Sequence, residues 1–366
     1  MRKPPLLLPL LLALAVSVAD AAEYLLPKGH DVIGEVRYVT ARYEDTFVAL
    51  ARQYDLGYEE LKDANPGVDA WLPGEGTRIV LPTQYVLPRA PREGIVVNVA
   101  ELRLYYYPAD APDKVFTYPI SIGRLDWTTP LGKTTVVDKA RNPTWYPPES
   151  IREEHAARND PLPAVVPPGP DNPLGKHALY LGIPGYLIHG TNRPSGVGMR
   201  VTHGCVRMFP EDIEALFARV PIGTPVRIVN QPYKAGWSEG GELYLEAHPP
   251  LAEEVEAGRW TLTELTREFV AATEERAARV DWGLAESVMR DALGMPFAVS
   301  LAELDGSGAL ATTASDDAAE NESGLASKPA SAPAVDAAVP AAEAVLPAAE
   351  AALPAADPAL PDAAGY

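Results

Sequence analysis

The chain has 366 residues, a net charge of −19 and a single cysteine, Cys205. The acid excess argues against a nucleic-acid partner, whose phosphates select basic surfaces, and one cysteine excludes an intramolecular disulfide. The length predicts two or more domains.

Met1-Arg2-Lys3 is followed by an apolar run from Leu6 to Val18, broken by Pro9, and by small residues around Ala19-Asp20-Ala21. A positive start, a short apolar core and an A-x-A site predict a secretory signal peptide over residues 1–21. The run is shorter than the ~20 residues that span a bilayer. No second run of spanning length follows, so the mature protein is expected outside the cytoplasm with no integral membrane segment. Cys205 lies far from the start of the mature chain, which excludes a lipid-modified terminal cysteine.

Residues 36–83 read as strand–helix–helix–strand. Thr46 caps a helix carrying Phe47, Leu50, Ala51 and Tyr54 at i, i+3, i+4 and i+7. A second helix, Tyr58 to Ala64, stops at Asn65-Pro66-Gly67. Strands are expected over Glu35–Thr40 and Thr77–Leu81. The segment resembles a LysM module, a small peptidoglycan-binding domain, through Tyr38-Val39, Asp45-Thr46, Ala51, Tyr54, Leu61, Asn65-Pro66, Leu72-Pro73-Gly74 and Ile79-Val80-Leu81-Pro82. The family usually has Gly-Asp-Thr before its first helix; here Glu44-Asp45-Thr46 stands there.

Residues 94–230 are strand-rich. Ile95–Val99 and Leu102–Tyr107 flank a tight turn, followed by Val115–Ile122 and Thr134–Asp138, which predicts a β-sandwich or a curved mixed sheet. Asn142 to Lys176 holds nine prolines and little periodicity. It is expected to be a functional loop or a rigid excursion, with Trp145, Tyr146, Val165 and Val166 available to pack over a cleft. After Cys205, Pro210 opens a helix with Ile213, Leu216, Phe217 and Val220 facing a core, and Val226–Val229 is a last strand. Residues 231–300 are expected to be a helical extension, one stripe being Leu262, Leu265 and Phe269 and the next Val280, Leu284 and Val288. From 301 to 366 there are eleven acidic residues and one base, Lys328, among repeated Pro-Ala-Ala. This composition predicts a disordered acidic tail. The fold class expected is α+β, mainly β.

The chemistry concentrates in His189-Gly190-Thr191 and Val201-Thr202-His203-Gly204-Cys205-Val206-Arg207-Met208. A lone thiol is a buried inert group, an intermolecular link or a nucleophile. Extended, the sixteen steps from His189 to Cys205 would span ~50 Å, but Asn192 to Gly198 lets the chain double back so that the two face each other. An imidazolium beside Cys205 would lower the thiol's usual pKa, and the same ring can return a proton to a leaving amine. Gly204 would let the N–H groups of Gly204 and Cys205 approach an oxyanion. Arg207 is a cation able to grip a carboxylate.

These two motifs, with Gly94-Ile95-Val96-Val97-Asn98, Leu102–Tyr107 and Asn172-Pro173-Leu174-Gly175, resemble YkuD-type L,D-transpeptidases. With the preceding LysM-like segment and signal peptide, the layout is similar to the periplasmic ErfK/YbiS group of Gram-negative bacteria. The resemblance implies Cys205 as nucleophile, His189 as acid/base and the Gly190 carbonyl as the group that orients the imidazole. Arg207 is expected to assist at the substrate or in holding the loop, Thr191 to lie on the substrate side, and His203 to lie there as a supporting neighbour because the family leaves its position variable. It implies attack on the L,D amide of a peptidoglycan tetrapeptide stem, a thioester, and transfer to an amine: another stem, giving a 3→3 crosslink, or a lysine of an outer-membrane lipoprotein. A hydrolase on the same fold and a silent wall-binding scaffold are the alternatives. No cofactor is implied, and His155 and His177 lack metal-ligand spacing, so no metal is expected.

Overall fold

The computed structural model describes residues 22–26 and 28–301. The expected signal peptide over 1–21 lies outside them, as does the expected tail apart from Leu301. β1 (Ala22–Leu25) and β2 (Val32–Gly34) precede a run of β3 (Arg37–Thr40), α1 (Phe47–Gln53), α2 (Tyr58–Asp63) and β4 (Arg78–Leu81). Thr46 Oγ1 accepts the Ala49 N–H at 3.2 Å, so one orphan donor at the start of α1 is satisfied. Phe47, Leu50 and Ala51 meet Leu56, Leu61, Ile79 and Leu81 in a small core. Asn65 ties the end of α2 to β4: its Nδ2 donates to the Leu61 carbonyl at 2.7 Å and its Oδ1 accepts the Val80 N–H at 2.7 Å. β3 and β4 pair antiparallel, and β5 (Gln84–Val86) pairs with β2.

The next stretch contains β6 (Gly94–Asn98), β7 (Arg103–Tyr107), β8 (Lys114–Pro119), β9 (Ile122–Gly123), β10 (Gly132–Arg141), α3 (Glu149–Ala157) and β11 (His177–Leu181). It closes with β12 (Leu187–His189), β13 (Arg200–Thr202), β14 (Val206–Arg207), α4 (Pro210–Arg219) and β15 (Pro225–Val229). Nine strands form one mixed sheet in the order β1-β8-β7-β6-β15-β10-β11-β12-β14, with β6/β15 and β12/β14 parallel. Of the two expected arrangements, the curved mixed sheet is the one observed. β10 serves both halves: Gly132–Thr135 pair with β15 and Val136–Arg141 with β11, and the register shifts between Val136 and Asp138. Such an irregularity bends a strand and increases its twist. Ile95, Val97, Leu104, Tyr118, Val136, Ile188 and Val206 pack here with Ile213, Leu216 and Phe217 of α4 and with Val220 just beyond it.

Two regions differ from expectation. The proline-rich stretch contains α3, which starts after Pro147-Pro148 and buries Ile151 and His155; prolines crowd its flanks but not its interior. Residues 231–300 are not purely helical. β16 (Tyr233–Trp237) and β17 (Leu243–Ala247) precede α5 (Ala252–Glu256), α6 (Leu262–Ala272) and α7 (Trp282–Asp291), and β18 (Pro296–Ala298) completes a three-stranded antiparallel sheet. Leu265 and Phe269 of α6 are buried as expected, but α7 buries Ala285 and Val288 while Leu284 is exposed and Val280 precedes the helix. Small Ala285 allows α7 to lie close on the sheet, so the buried face is rotated from the one that the larger side chains suggest.

The N-terminal module is joined to the nine-stranded sheet by charge. Arg103 of β7 donates to both Glu60 oxygens, at 3.1 and 2.7 Å, and to Thr117 Oγ1 at 3.1 Å, with both charged side chains buried. Removing one partner of such a pair leaves an uncompensated buried charge, at a cost of about 3–5 kcal/mol.

Candidate active site

β12 and β14 run in parallel at the end of the sheet, with Ile188 opposite Val206 and His189 opposite Arg207. Ile188 and Val206 point into the core, so the alternation of a strand turns His189, Arg207 and, one step before β14, Cys205 to the other face. His189 is therefore level with Arg207, two positions from Cys205, because the connecting loop returns the chain to a parallel neighbour. His189 and Cys205 line one cavity of about 390 Å³ with Trp127, Trp145, Tyr146, Ile151, Tyr186, Leu187 and His203. Trp145, Tyr146, Pro148 and Ile151 come from the proline-rich excursion, which thus walls the site. Asn172, fully buried, knits that excursion by donating to the Pro143 carbonyl at 2.8 Å and accepting the Leu174 N–H at 2.9 Å.

His189 Nδ1 lies 2.6 Å from the Gly190 carbonyl oxygen. A carbonyl only accepts, so Nδ1 carries the hydrogen and Nε2 is the basic nitrogen. Burial, and then the Arg207 cation, lower the His189 pKa to about 3. Burial raises the Cys205 thiol to about 11, against the Leu187 N–H and the Arg207 charge, which both favour thiolate. At neutral pH the resting pair is therefore thiol and neutral imidazole, rather than the thiolate–imidazolium pair that the motif suggests. The imidazole remains competent to take the thiol proton as the bond to carbon forms.

The turn that presents Cys205 is braced from inside. Thr202 Oγ1 donates to the Cys205 carbonyl at 2.6 Å and accepts the Gly204 N–H at 3.2 Å, while Thr129 Oγ1 donates to the Gly204 carbonyl at 2.9 Å. The Gly204 N–H is thereby occupied, which corrects its expected place in an oxyanion site. Gly204 is required for another reason: its φ is +98° and a Cβ would meet Tyr186 Cε1 at 2.8 Å. Of Thr191, Arg207 and His203, His203 alone lines this cavity. Thr191 is buried outside the cavity wall and its Oγ1 accepts the Arg193 N–H at 2.9 Å, shaping the loop rather than facing substrate. Arg207 is also buried behind the wall, where desolvation, and then Arg193, lower its pKa to about 10. His203 lines the cavity, but its Nε2 lies 3.0 Å from Glu154 Oε2 of α3, and its ring stands edge-on to Trp127 at 5.1 Å between centroids.

Glu154, which the sequence did not single out, also pairs with Arg124 and Arg158. It fastens α3 to the turn that carries Cys205. The N-terminal module braces the loop from the opposite direction. The N–H groups of Tyr58 and Glu59, opening α2, donate to the Val197 and Gly198 carbonyls at 3.4 and 3.2 Å. Gly198 has φ +85°, and a Cβ there would fall 2.3 Å from Gly57 Cα.

A metal-like grouping lies elsewhere. Glu101, Glu246 and His248 converge in the interior, and the Lys234 ammonium sits among them, 2.9 Å from Glu246 Oε1 and paired with Glu101. The protein thus supplies its own cation at that point.

Residues 92–228 match the L,D-transpeptidase catalytic domain family, YkuD. The chain is similar to the probable L,D-transpeptidase YcfS of Escherichia coli K12, 43% identical over 289 residues that cover 78% of this chain and 90% of that protein. It is similar to the probable L,D-transpeptidase YbiS of the same strain, 45% identical over 240 residues covering 64% and 78%. A third relative there, the probable L,D-transpeptidase ErfK/SrfK, is 40% identical over 310 residues covering 82% and 98%.

Proposed function

This chain belongs to the L,D-transpeptidase family, in the group of ErfK, YbiS and YcfS, and from that premise we propose that it is a periplasmic cysteine acyltransferase acting on peptidoglycan tetrapeptide stems. The observation that carries the mechanism is His189 fixed by the Gly190 carbonyl on the cavity that Cys205 lines. His189 Nε2 takes the thiol proton as Cys205 Sγ attacks the acyl carbon of the L,D amide. The Cys205 N–H, which Thr202 leaves available, faces the developing oxyanion. The protonated imidazole then gives its proton to the departing D-Ala amine, and a thioester remains. An incoming amine loses its proton to His189 and displaces the thiol. Arg207, behind the wall, acts through its field: it favours negative charge on sulfur and disfavours a resting imidazolium.

Export rests on the signal peptide read over residues 1–21. The βααβ module over residues 36–83 is proposed to bind the glycan as a LysM domain. Because Glu60–Arg103 and the contacts from α2 to the loop fix this module against the catalytic sheet, it would present the polymer in a set orientation rather than act as a loose tether.

The test incubates mature protein with purified sacculi and reads the muropeptides by mass spectrometry. New 3→3 dimers support a stem acceptor, and trimmed stems identify water instead. Unchanged muropeptides with a carbapenem adduct on Cys205 direct the search to a lipoprotein lysine added separately. If no carbapenem adduct forms and Cys205→Ala keeps full activity on sacculi, the enzyme reading is wrong.

A further inference from the structure

At the edge of the large sheet, β1 begins against a cluster of acids. Ala22 N lies 3.0 Å from Asp55 Oδ2. Asp55 is hydrogen-bonded in turn to Asp212 of α4, and Glu60 is close enough to repel it. Asp212 is 3% exposed, and its Oδ2 is buried with no hydrogen-bond partner among the described residues. Arg103, the cation that acts on all three acids, is already committed. It holds Glu60 through two hydrogen bonds, and toward Asp55 it donates to the backbone carbonyl at 3.1 Å, not to the carboxylate.

Three carboxyl groups thus share Arg103, and the other guanidinium that reaches Asp212, Arg52, is itself paired with Glu211 at 2.7 Å. Two acids in contact do not both ionise unless another positive charge is near. With an ordinary peptide N–H at Ala22, burial raises Asp55 to about 6 and pushes Asp212 well up. The position of that N–H is informative. Pairing of β1 with β8 starts at Ala22, opposite Thr117, and Ala22 is also the residue that the Ala19-x-Ala21 site makes first in the mature chain.

We propose that cleavage after Ala21 supplies the missing charge: the α-ammonium of Ala22 is bound by Asp55 and Asp212 and locks β1 between the N-terminal module and α4. Hydrolysis of the 21–22 peptide bond consumes one water and leaves a carboxylate on Ala21 and an amine on Ala22. That amine is largely protonated at neutral pH, since α-amines titrate near ~7.7–8.0. The nitrogen changes from an amide with one N–H to a cation with three, at the place where an unpartnered carboxyl oxygen is buried. The precursor lacks this cation, so its acid pair must share a proton. The inference rests on the export reading and is independent of the acyl-transfer reading.

N-terminal sequencing of the exported protein comes first, with Ala22 expected. The mature chain is then compared with Asp55→Asn and with a chain carrying one glycine ahead of Ala22. The amine pKa is read by competitive acetylation and mass spectrometry. Its expected value in the mature chain lies at least about one unit above the ordinary ~8, which makes labelling at pH 7.5 roughly tenfold slower. Asp55→Asn should return both to ordinary values. The glycine-extended chain should melt roughly 2–4 °C lower while Cys205 still forms its carbapenem adduct. Should Asp55→Asn not fold, the mature and glycine-extended chains decide by their amine pKa and melting difference. A terminus other than Ala22 overturns the proposal through its cleavage premise. Ala22 with an ordinary amine pKa overturns the lock and leaves export intact, and loss of the carbapenem adduct in every chain strikes only the acyl-transfer reading.

Discussion

Two clusters of polar groups in this protein handle desolvation in opposite ways. Around Lys234 the acids have a cation in contact. Burial opposes ionisation of both acids; at Glu246 the Lys234 charge and the His248 hydrogen bond override it and hold the pKa below the ordinary value, while at Glu101 burial and the Glu246 charge outweigh Lys234 and the pKa is raised. At Cys205 and His189 no such contact exists within the pair, and burial drives both groups toward neutrality. The first arrangement is a static interior cation site. The second keeps a proton on sulfur at neutral pH. Burial alone therefore does not fix a group's charge; the charges in contact with it decide as well.

The contrast is broken most directly at His189. His189→Gln keeps a neutral polar group in the pocket, so acylation by a carbapenem should fall roughly 10²–10⁴-fold while thermal unfolding changes little. Stopped-flow fluorescence and calorimetry measure the two. Lys234→Met should do the reverse. It leaves Glu101 and Glu246 without their ammonium, and urea unfolding should lose about 3–5 kcal/mol with acylation per folded molecule unchanged.

The protonation states give a third effect. With the Cys205 thiol at about 11, iodoacetamide at pH 7 should react roughly 10²-fold more slowly than with an unperturbed thiol, and its rate should climb up to that region. Carbapenem acylation, drawing on the neutral imidazole, should stay flat from pH 6 to 8. A shared inflection below pH 8 would instead indicate a preformed thiolate–imidazolium pair. The smallest effect is on stability. The folded state keeps His189 neutral down to about pH 3, whereas the unfolded chain protonates it near 6.5. The unfolded state thus binds more protons between these values. The contribution is complete above pH 6.5 and is lost as pH falls, at up to about 1.4 kcal/mol per pH unit. The difference between wild-type and His189→Gln unfolding curves at pH 5 and pH 7 isolates it.

Local rules were readable where a residue acts on its sequence neighbours. Thr46 as a cap, Pro210 at a helix start and the core face of α4 all follow from short spacings. The meeting of His189 with the Gly190 carbonyl was implied by the family resemblance and not by spacing, although the two are one residue apart. What remained hidden depends on distant partners. Glu154 lies 49 positions from His203 and acts only because α3 folds back over the cavity. Glu246 sits in a strand fully buried, a place no carboxylate is expected until Lys234 is brought beside it. The neutral state of Cys205 and His189 is likewise a property of what surrounds them, and motif spacing contains no measure of solvent.

The contact of Gly198 with Gly57 has a practical consequence for anyone recombining such proteins. No side chain fits between the two backbones, and the opening amides of α2 are used up on the loop that leads to Cys205. A catalytic region transplanted onto a foreign N-terminal module would keep Cys205 and lose the surface against which its loop is moulded. Chimeras should exchange residues 57–59 and 192–198 together, because these two short stretches form a single unit of inheritance.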